Sequence, residues 1–360
     1  MSFTVKRIER SIEKKLLYIM KKRQWCRSSK KRLQYLSDGG TMTEEQIYEV
    51  KSYFKPFVPL QNTIDHEFYT ACTGIFHVEY IPDWVHYSLI DPYFNNWEAA
   101  KLVDNKCYYQ MMFPNCTQPY AVLYRMNGIW FNHERQPIQD CEISKIIENE
   151  ISPLFVKKAS ESCGGHGVIR CFGIEETVNA ISGFSGDLIV QRELQQSEVT
   201  SRLNPTSVNT IRILSVLSEF GVKVYSMIFR CGIGGAFVDN ASSGGITIGI
   251  EKDGRLKSIA YDKNGQKFSK HPTTNICFSE IVIPNIRACI DLIKRLHPFV
   301  PNFRMVSWDI ALDVDDNPVL IEANLKEGEL DFHQLNNGPL FGEDTSAILH
   351  EVFLDNNLSL

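Results

Sequence analysis

The chain has 360 residues, 43% of them hydrophobic, and a formal net charge of −5. That is enough apolar material for more than one core, and an acidic body with no reader motif argues against nucleic acid as a partner. No run approaches the length of a membrane-spanning helix, the start MSFTVKRIERSIEKKL lacks the apolar stretch of a signal peptide, and ten cysteines without a C-x-x-C pair point to reduced, buried thiols in a cytoplasmic protein.

Charge is unevenly spread along the chain. Residues 1–38 hold twelve Lys/Arg against three Asp/Glu, a surplus of nine, so the other 322 residues carry a net −14. Residues 1–36 read as a basic helix that also holds Phe3, Leu16, Leu17, Tyr18, Ile19, Met20 and Trp25. Such a helix either packs one stripe on the body or lies on an anionic membrane surface, and its pattern alone does not separate the two. Residues 43–56 read as a second helix with Thr43 as N-cap.

Residues 60–118 are rich in aromatics and have no regular period. From residue 119 the pattern changes. AVLYRMNGIWFN reads as two strands around Asn127-Gly128, IQDCEISKIIENE as a helix and PLFVKKA as a strand. A glycine-rich loop, SESCGGHG, precedes strand VIRCF, helix EETVNAIS and strand DLIVQREL. VNTIRILSVLS, KVYSMIFRCG and GITIGI continue as strands with antiparallel spacing. IPNIRACIDLIKRLHPFV is an amphipathic helix, residues 307–324 a hairpin, and TSAILHEVFLDN a closing helix. Antiparallel strands with flanking helices give an α+β class in two lobes. The expected divisions are a basic helical extension (1–60), a substrate-side region (61–118), a small lobe (119–195) and a large lobe (196–360).

Two features carry chemistry. Gly164, Gly165 and Gly167 let a backbone approach a phosphate closely, with Lys157 at the end of the preceding strand as a point charge. The loop matches neither a P-loop nor a dinucleotide fingerprint. In SWDIALDVDDNPVLIEAN, Trp308, Ile310 and Leu312 alternate on one face, mirrored by Val319, Ile321 and Ala323 after a turn at 315–318. A two-residue turn sets Asp309 opposite Glu322; a four-residue turn sets it opposite Asn324. Either way the three polar side chains share one face. Two carboxylates facing each other repel, so something positive belongs between them. Two carboxylates and an amide are hard oxygen ligands suited to magnesium, and the face has no His or Cys for zinc.

The order of these motifs resembles the ATP-grasp superfamily. Asp309 with Glu322-Ala323-Asn324 resembles its metal ligands, and Lys157 the lysine before its glycine-rich loop. Asn105-Lys106 resembles an earlier D-K element, with Asn in place of Asp. IVQREL resembles the inter-lobe hinge that binds adenine through the main chain near Gln191, Arg192 and Glu193, with Leu194 beside them. NPTSVNTIRILS, VDNASSGGITIGI and the stretch 306–342 resemble segments of the sugar-transfer associated ATP-grasp family, and the likeness runs over roughly residues 65–353. His166 stands where many such loops carry lysine, and Lys158 where proline is usual, so either Lys157 or Lys158 meets the phosphates.

The resemblance implies an ATP-grasp fold of two α+β lobes gripping ATP. It implies ATP with magnesium or manganese as cofactors, with Ser162, Gly164, Gly165, His166 and Gly167 over the phosphates. The implied chemistry is activation of a carboxylate as an acyl phosphate and attack by an amine, on a sugar acid or amino-acid-bearing sugar in surface-polysaccharide synthesis. Arg212 and Lys326 take the catalytic roles. Asp239, Asn240, Gly244, Gly245, Asp331 and His333 line the substrate side. The rival readings are a kinase on the same fold, and a silent nucleotide-binding module that docks on a glycosyltransferase or the inner face of a membrane through residues 1–38.

Overall fold

Asn127 and Gly128 both adopt positive φ, 48° and 81°, which is the backbone a two-residue hairpin turn of matching twist requires. They join β1 (Ala121–Met126) to β2 (Ile129–Asn132). With β3 (Pro137–Ile138), β4 (Leu154–Lys158), β5 (Val168–Cys171) and β6 (Leu188–Arg192) they form a six-stranded antiparallel sheet of order β3-β2-β1-β6-β4-β5. This computed structural model describes residues 3–36, 42–151, 153–160, 167–235 and 244–355, and side chains from Leu16 onward except Leu17. Helices Asp140–Glu148 and Gly173–Gly183 cover one face of the small sheet, burying Leu154, Val156, Leu188 and Val190 against Ile143, Ile147 and Ile181. The opposite face carries Ala121, Tyr124, Ala159 and Ile189.

The second sheet has seven antiparallel strands in the order β11-β10-β9-β8-β7-β12-β13. They are β7 (Thr210–Ser218), β8 (Gly221–Cys231), β9 (Ile246–Ile250), β10 (Leu256–Tyr261), β11 (Lys267–Phe268), β12 (Met305–Leu312) and β13 (Pro318–Asn324). Helix Ile286–Leu296 packs on the face that carries Ile211, Ile213, Trp308 and Ile310. The other face is closed by residues 42–94 and the C-terminal helices, around Leu214, Val216 and Met305.

The turn between β12 and β13 is longer than the sequence suggests. Leu312 pairs with Pro318, so the loop is residues 313–317, and an irregularity lies between Asp309 and Ile310. The extra residue on β13 is Ile321, which shifts the alternation by one. The residues sharing the core with Trp308, Ile310 and Leu312 are therefore Leu320 and Ala323, not Val319 and Ile321. Residues 60–118, which have no sequence period, fold into short helical pieces. These include Ile64–Thr73, Trp97–Val103 and a π-helical turn His86–Ile90. Each piece is too short to show a repeat.

No described helix is long and apolar enough to cross a membrane. The N-terminal helix (Phe3–Tyr35) docks through its second half. Trp25 stacks on Tyr87 with centroids 3.8 Å apart, and Lys22 sits 4.1 Å above the Trp84 ring. Arg32 is buried among three carboxylates: it bonds Asp83, donates to Asp331 at 2.9 Å and lies 3.9 Å from Asp65. Tyr69 donates to Asp83 at 2.7 Å and Ser29 donates to Asp65. One cation does not neutralise three acids. Burial, then the Asp83 charge, push the Asp65 carboxyl up to about 7.

An unfolded Asp loses its proton near about 3.9, so between that value and 7 the folded protein holds the extra proton and raising the pH costs stability. Asp65→Asn is exempt from that loss. The difference in Tm, variant minus wild type, is expected to grow from pH 5 to pH 8, and a constant difference in calorimetry would refute the assignment.

Candidate functional site between the two sheets

β7 and β8 pair Thr210 with Arg230 and Arg212 with Ile228, so Arg212 and Arg230 are diagonal neighbours on one face. Both are buried, and two buried guanidiniums side by side are tolerable only with an anion between them. Asp309, opposite Arg212 on β12, is that anion. Arg212 donates from Nε to Asp309 Oδ1 and from Nη2 to Oδ2, both at 2.7 Å, and Arg230 donates to Oδ2 at 3.0 Å. Burial alone would raise the Asp309 carboxyl, but the two guanidiniums outweigh it and hold the group at about 2. Arg212 also bonds Glu329, so three of the five N–H donors of its guanidinium are engaged.

Across the hairpin, Asp309 pairs with Glu322 and Ser307 with Asn324. Asp309, Glu322 and Asn324 share one face, as expected, through a five-residue turn whose offset the bulge cancels. The positive charge belonging between the acids comes from the protein: Arg212 and Arg230 on Asp309, and Lys106, which donates to Glu322 Oε1 at 2.6 Å. Burial works against the Lys106 charge, yet the Glu322 carboxylate keeps its pKa raised.

Lys106 stands on a bridge between the two sheets. Its N–H donates to Ala159 O at 2.9 Å on the small-sheet side. Tyr109 OH exchanges hydrogen bonds with Ala323 N and O at 3.2 and 3.3 Å on the large-sheet side, and Phe113 packs edge-on against Trp308. The cleft beneath the bridge is lined by Lys106, Tyr109, Gln118, Ala121, Tyr124, Ile189, Gln191, Leu320 and Ile321. It draws its lining from both lobes, polar and apolar side chains together, with Lys106 among them.

Alternation separates the two lysines of β4. Lys157 pairs with Ile189, on the cleft side of the sheet, while Lys158 pairs with Leu188, on the helix-covered side. Lys158 also donates its N–H to Gly167 O at 2.9 Å. At the hinge the expected main-chain groups are partly committed. Arg192 N–H donates to Tyr120 O and Glu193 N–H to Pro153 O, at 2.9 and 3.0 Å. Those two donors are spoken for by the sheet edge, and the next in line is Leu194. The Arg192 side chain pairs outward with Glu150 at 2.5 Å, and Glu193 with Arg170 at 2.8 Å. Gln191 is buried in the cleft wall.

Ser162, Gly164, Gly165, His166, Asp239 and Asn240 lie outside the described residues. Gly244 and Gly245 lead into β9. Asp331 and His333, expected on the substrate side, have interior roles instead. Asp331 is paired with Arg32. His333 is buried with its Nδ1 2.7 Å from Ser226 Oγ, and burial, with Arg212 next in weight, pushes it down to about 3. The cause is a helix, Asp331–Asn337, that the sequence reading did not anticipate; it lies across the large sheet, where Phe332 meets Ile228. Lys326 is half-buried and makes no ion pair among the described residues. Arg230 and Glu329 were missed. A second arginine in an otherwise apolar strand, KVYSMIFRCG, was the available signal for Arg230.

Among the described residues no three His, Cys, Asp or Glu side chains are placed to hold a metal, so any metal here needs the Asn324 amide as a third ligand. The oxygens fit that role. Asn324 spends its Nδ2 on Ser307 O at 3.0 Å, and neither its Oδ1 nor Glu322 Oε2 accepts a hydrogen bond from a described residue. Among the described residues Asp309 Oδ1 accepts from Arg212 alone, which leaves it a lone pair. Glu322 and Asn324, with Asp309 through that oxygen, would hold a hard cation such as magnesium.

Two antiparallel sheets with flanking helices face each other across this cleft, the α+β arrangement that the sequence resemblance implies. Residues 170–348 match the family model described as sugar-transfer associated ATP-grasp, and the resemblance read from the sequence stands on that match. The match includes Arg212, Arg230, Asp309, Glu322, Asn324 and Lys326, and leaves out Lys106 and Lys157. No curated protein matches the chain. Solved structures similar to it include an N5-carboxyaminoimidazole synthase from Aspergillus clavatus in complex with ADP and 5-aminoimidazole ribonucleotide (12% identity, TM-score 0.38, covering 69% of this chain and 56% of that one). An L-amino acid ligase from Bacillus licheniformis follows (13%, 0.41, 69% and 47%). A third is the ATP-grasp ligase PsnB complexed with a minimal precursor (13%, 0.41, 72% and 64%). The chain thus spans between about half and two thirds of the length of those proteins.

Removing the charge at Asp309 takes a shared anion from two buried guanidiniums. Asp309→Asn is expected to cost about 3–5 kcal/mol in urea denaturation. Glu322→Gln, at a partly exposed position whose amide still accepts from Lys106, costs about 1 kcal/mol. Equal losses would contradict the division between a structural acid and an available one.

Proposed function

We propose that the chain is an ATP- and magnesium-dependent ligase that activates a carboxylate as an acyl phosphate and joins it to an amine. The observation that carries this reading is the face at Asp309, Glu322 and Asn324. Two ligand oxygens there are uncommitted, and the surrounding charges balance: Arg212, Arg230 and Lys106 against Asp309, Glu322 and Glu329. A neutral cluster accepts a polyphosphate only with further positive charge, which the metal supplies when bound. Lys157, on the cleft side of β4, and Lys326, beside Asn324, are the residues suited to the phosphates. Ala121, Ile189, Leu320 and Ile321 offer the apolar walls an adenine ring needs, and the Leu194 N–H, with Glu193 C=O, the hydrogen bonds at its edge. Arg212 acts mainly by fixing Asp309. Its remaining donors are suited to a substrate carboxylate or to the oxyanion that follows amine attack. A sugar acid or amino-acid-bearing sugar as substrate, within surface-polysaccharide synthesis, is supported by the family description alone.

Incubation with ATP, magnesium, sugar acids and amino acids, followed by ³¹P NMR, tests the reaction. ADP and free phosphate appearing together with an amide are expected; phosphate retained on a product hydroxyl would mean a kinase. Lys157→Ala is expected to weaken ATP binding about tenfold or more, in line with a lost charge-assisted contact. Lys158→Ala should leave it near wild type, and equal effects would undo the assignment by sheet face.

Contact with an anionic membrane face through the N-terminal helix belongs to the same proposal. Arg23, Arg27, Lys30 and Lys31 are exposed on it, which favours an anionic surface. Co-sedimentation with phosphatidylserine vesicles, absent with neutral ones, is the expected result; equal recovery with both would dismiss it.

A further inference from the structure

The segment that leaves β13, residues 325–331, is pinned at nearly every position, and the pins converge on the N-terminal helix. Glu327 adopts a left-handed backbone, φ 51°, which a side-chain-bearing residue keeps only when its surroundings impose it. Its N–H donates to Asp91 Oδ2 at 3.0 Å and its carboxylate accepts from Lys21 of the N-terminal helix. Lys21 also lies 5.5 Å from the centroid of the Trp97 ring, whose indole N–H donates to the same Asp91 oxygen at 2.7 Å. Gly328 runs so close to β12 that an added Cβ would sit 2.5 Å from Ser307 Oγ. Glu329 bonds Arg212. Leu330 N–H donates at 3.0 Å to Tyr87 OH, on the ring that Trp25 stacks against. Asp331 accepts from Arg32 at 2.9 Å.

Three side chains of one helix, Lys21, Trp25 and Arg32, thus hold the segment from Glu327 to Asp331, and on the other side of Lys326 the buried Leu325 and β13 hold the chain. Between these holds, the Lys326 side chain makes no ion pair or hydrogen bond with a described residue, and it follows the proposed ligand Asn324 by two. A chain fixed on both sides of a lysine sets where its ammonium goes without restraining the ammonium itself. Resting on the nucleotide reading proposed above, we infer that the N-terminal helix is a positioning element of the site: it straps residues 325–331 so that Lys326 is delivered to the terminal phosphate. The helix thereby sets the preference for a nucleoside triphosphate over a diphosphate. Lys21 and Glu327 are positioning residues, and Lys326 is the one that touches ligand.

The test uses the full chain with magnesium and either ATP or ADP, in calorimetry. Lys21→Glu sets two carboxylates against each other and is expected to weaken ATP about tenfold while ADP changes less than about twofold, the difference of one charge-assisted contact. The exchanged pair, Lys21→Glu with Glu327→Lys, should recover most of the ATP affinity, which a generally damaged fold would not. Lys326→Ala should lose the same preference without any change at the helix. Hydrogen exchange over residues 325–331 in Lys21→Glu reads the strap independently of nucleotide, and faster exchange is expected. Unchanged exchange together with an unchanged ATP-to-ADP ratio overturns the inference. A wild-type chain that binds neither nucleotide overturns the function proposed above, and faster exchange in the variant then still supports the strap as a structural device.

Discussion

Two arginines buried side by side on neighbouring strands are the constraint from which the large lobe follows. An uncompensated buried charge costs several kcal/mol, so Arg212 and Arg230 admit only arrangements that bring an anion between them. Asp309 meets that demand because β12 pairs with β7 in the register that sets Asp309 opposite Arg212. A slip of one residue would put Trp308 or Ile310 against the guanidinium and turn Asp309 into the core. The ion triad therefore locks strand register, which then fixes the β12–β13 hairpin, which in turn places Glu322 and Asn324. The candidate face is determined here by an electrostatic requirement one strand away from it.

That hierarchy also divides the labour among three polar residues of similar chemistry. Asp309 is held at about 2 by its guanidiniums and gains from staying where it is. Glu322 is partly exposed and shares one oxygen with Lys106, which reaches it from the bridge at residues 105–118. The Lys106–Glu322 pair joins the bridge at residues 105–118 to the large sheet, while the bridge's other contact, Lys106 N–H to Ala159 O, reaches the small one.

The sequence disclosed this face for a reason that survives a mistaken turn. Side-chain alternation put Asp309, Glu322 and Asn324 together in either even register, and the bulge at Ile321 cancelled the error of assuming a short loop; the same bulge made Val319 and Ile321 look like core. Asn127-Gly128 was legible because its backbone demand is local. The helix carrying Asp331 and His333 was not legible because it has no amphipathic repeat long enough to see; its contacts with Arg32 and Ser226 are more than a hundred residues away in sequence. Arg230 and Glu329 went unnoticed because their meaning is a partner rather than a pattern. The two lysines of β4 show the complement: adjacent residues of one type became distinct once the ladder assigned each a face.

The N-terminal helix belongs to the same electrostatic logic. Asp65, Asp83 and Asp331 come from three separate segments, the first two buried and the third half-buried, and surround a single cation, Arg32. With the helix in place but without the Arg32 charge, the three carboxylates would face one another where Coulomb repulsion is far stronger than in water. A chain whose body is acidic and whose first helix is basic is thus using the helix as an internal counterion as well as a surface. Because one of those acids, Asp331, ends the segment that follows Asn324, the contact that neutralises the acid also anchors that segment.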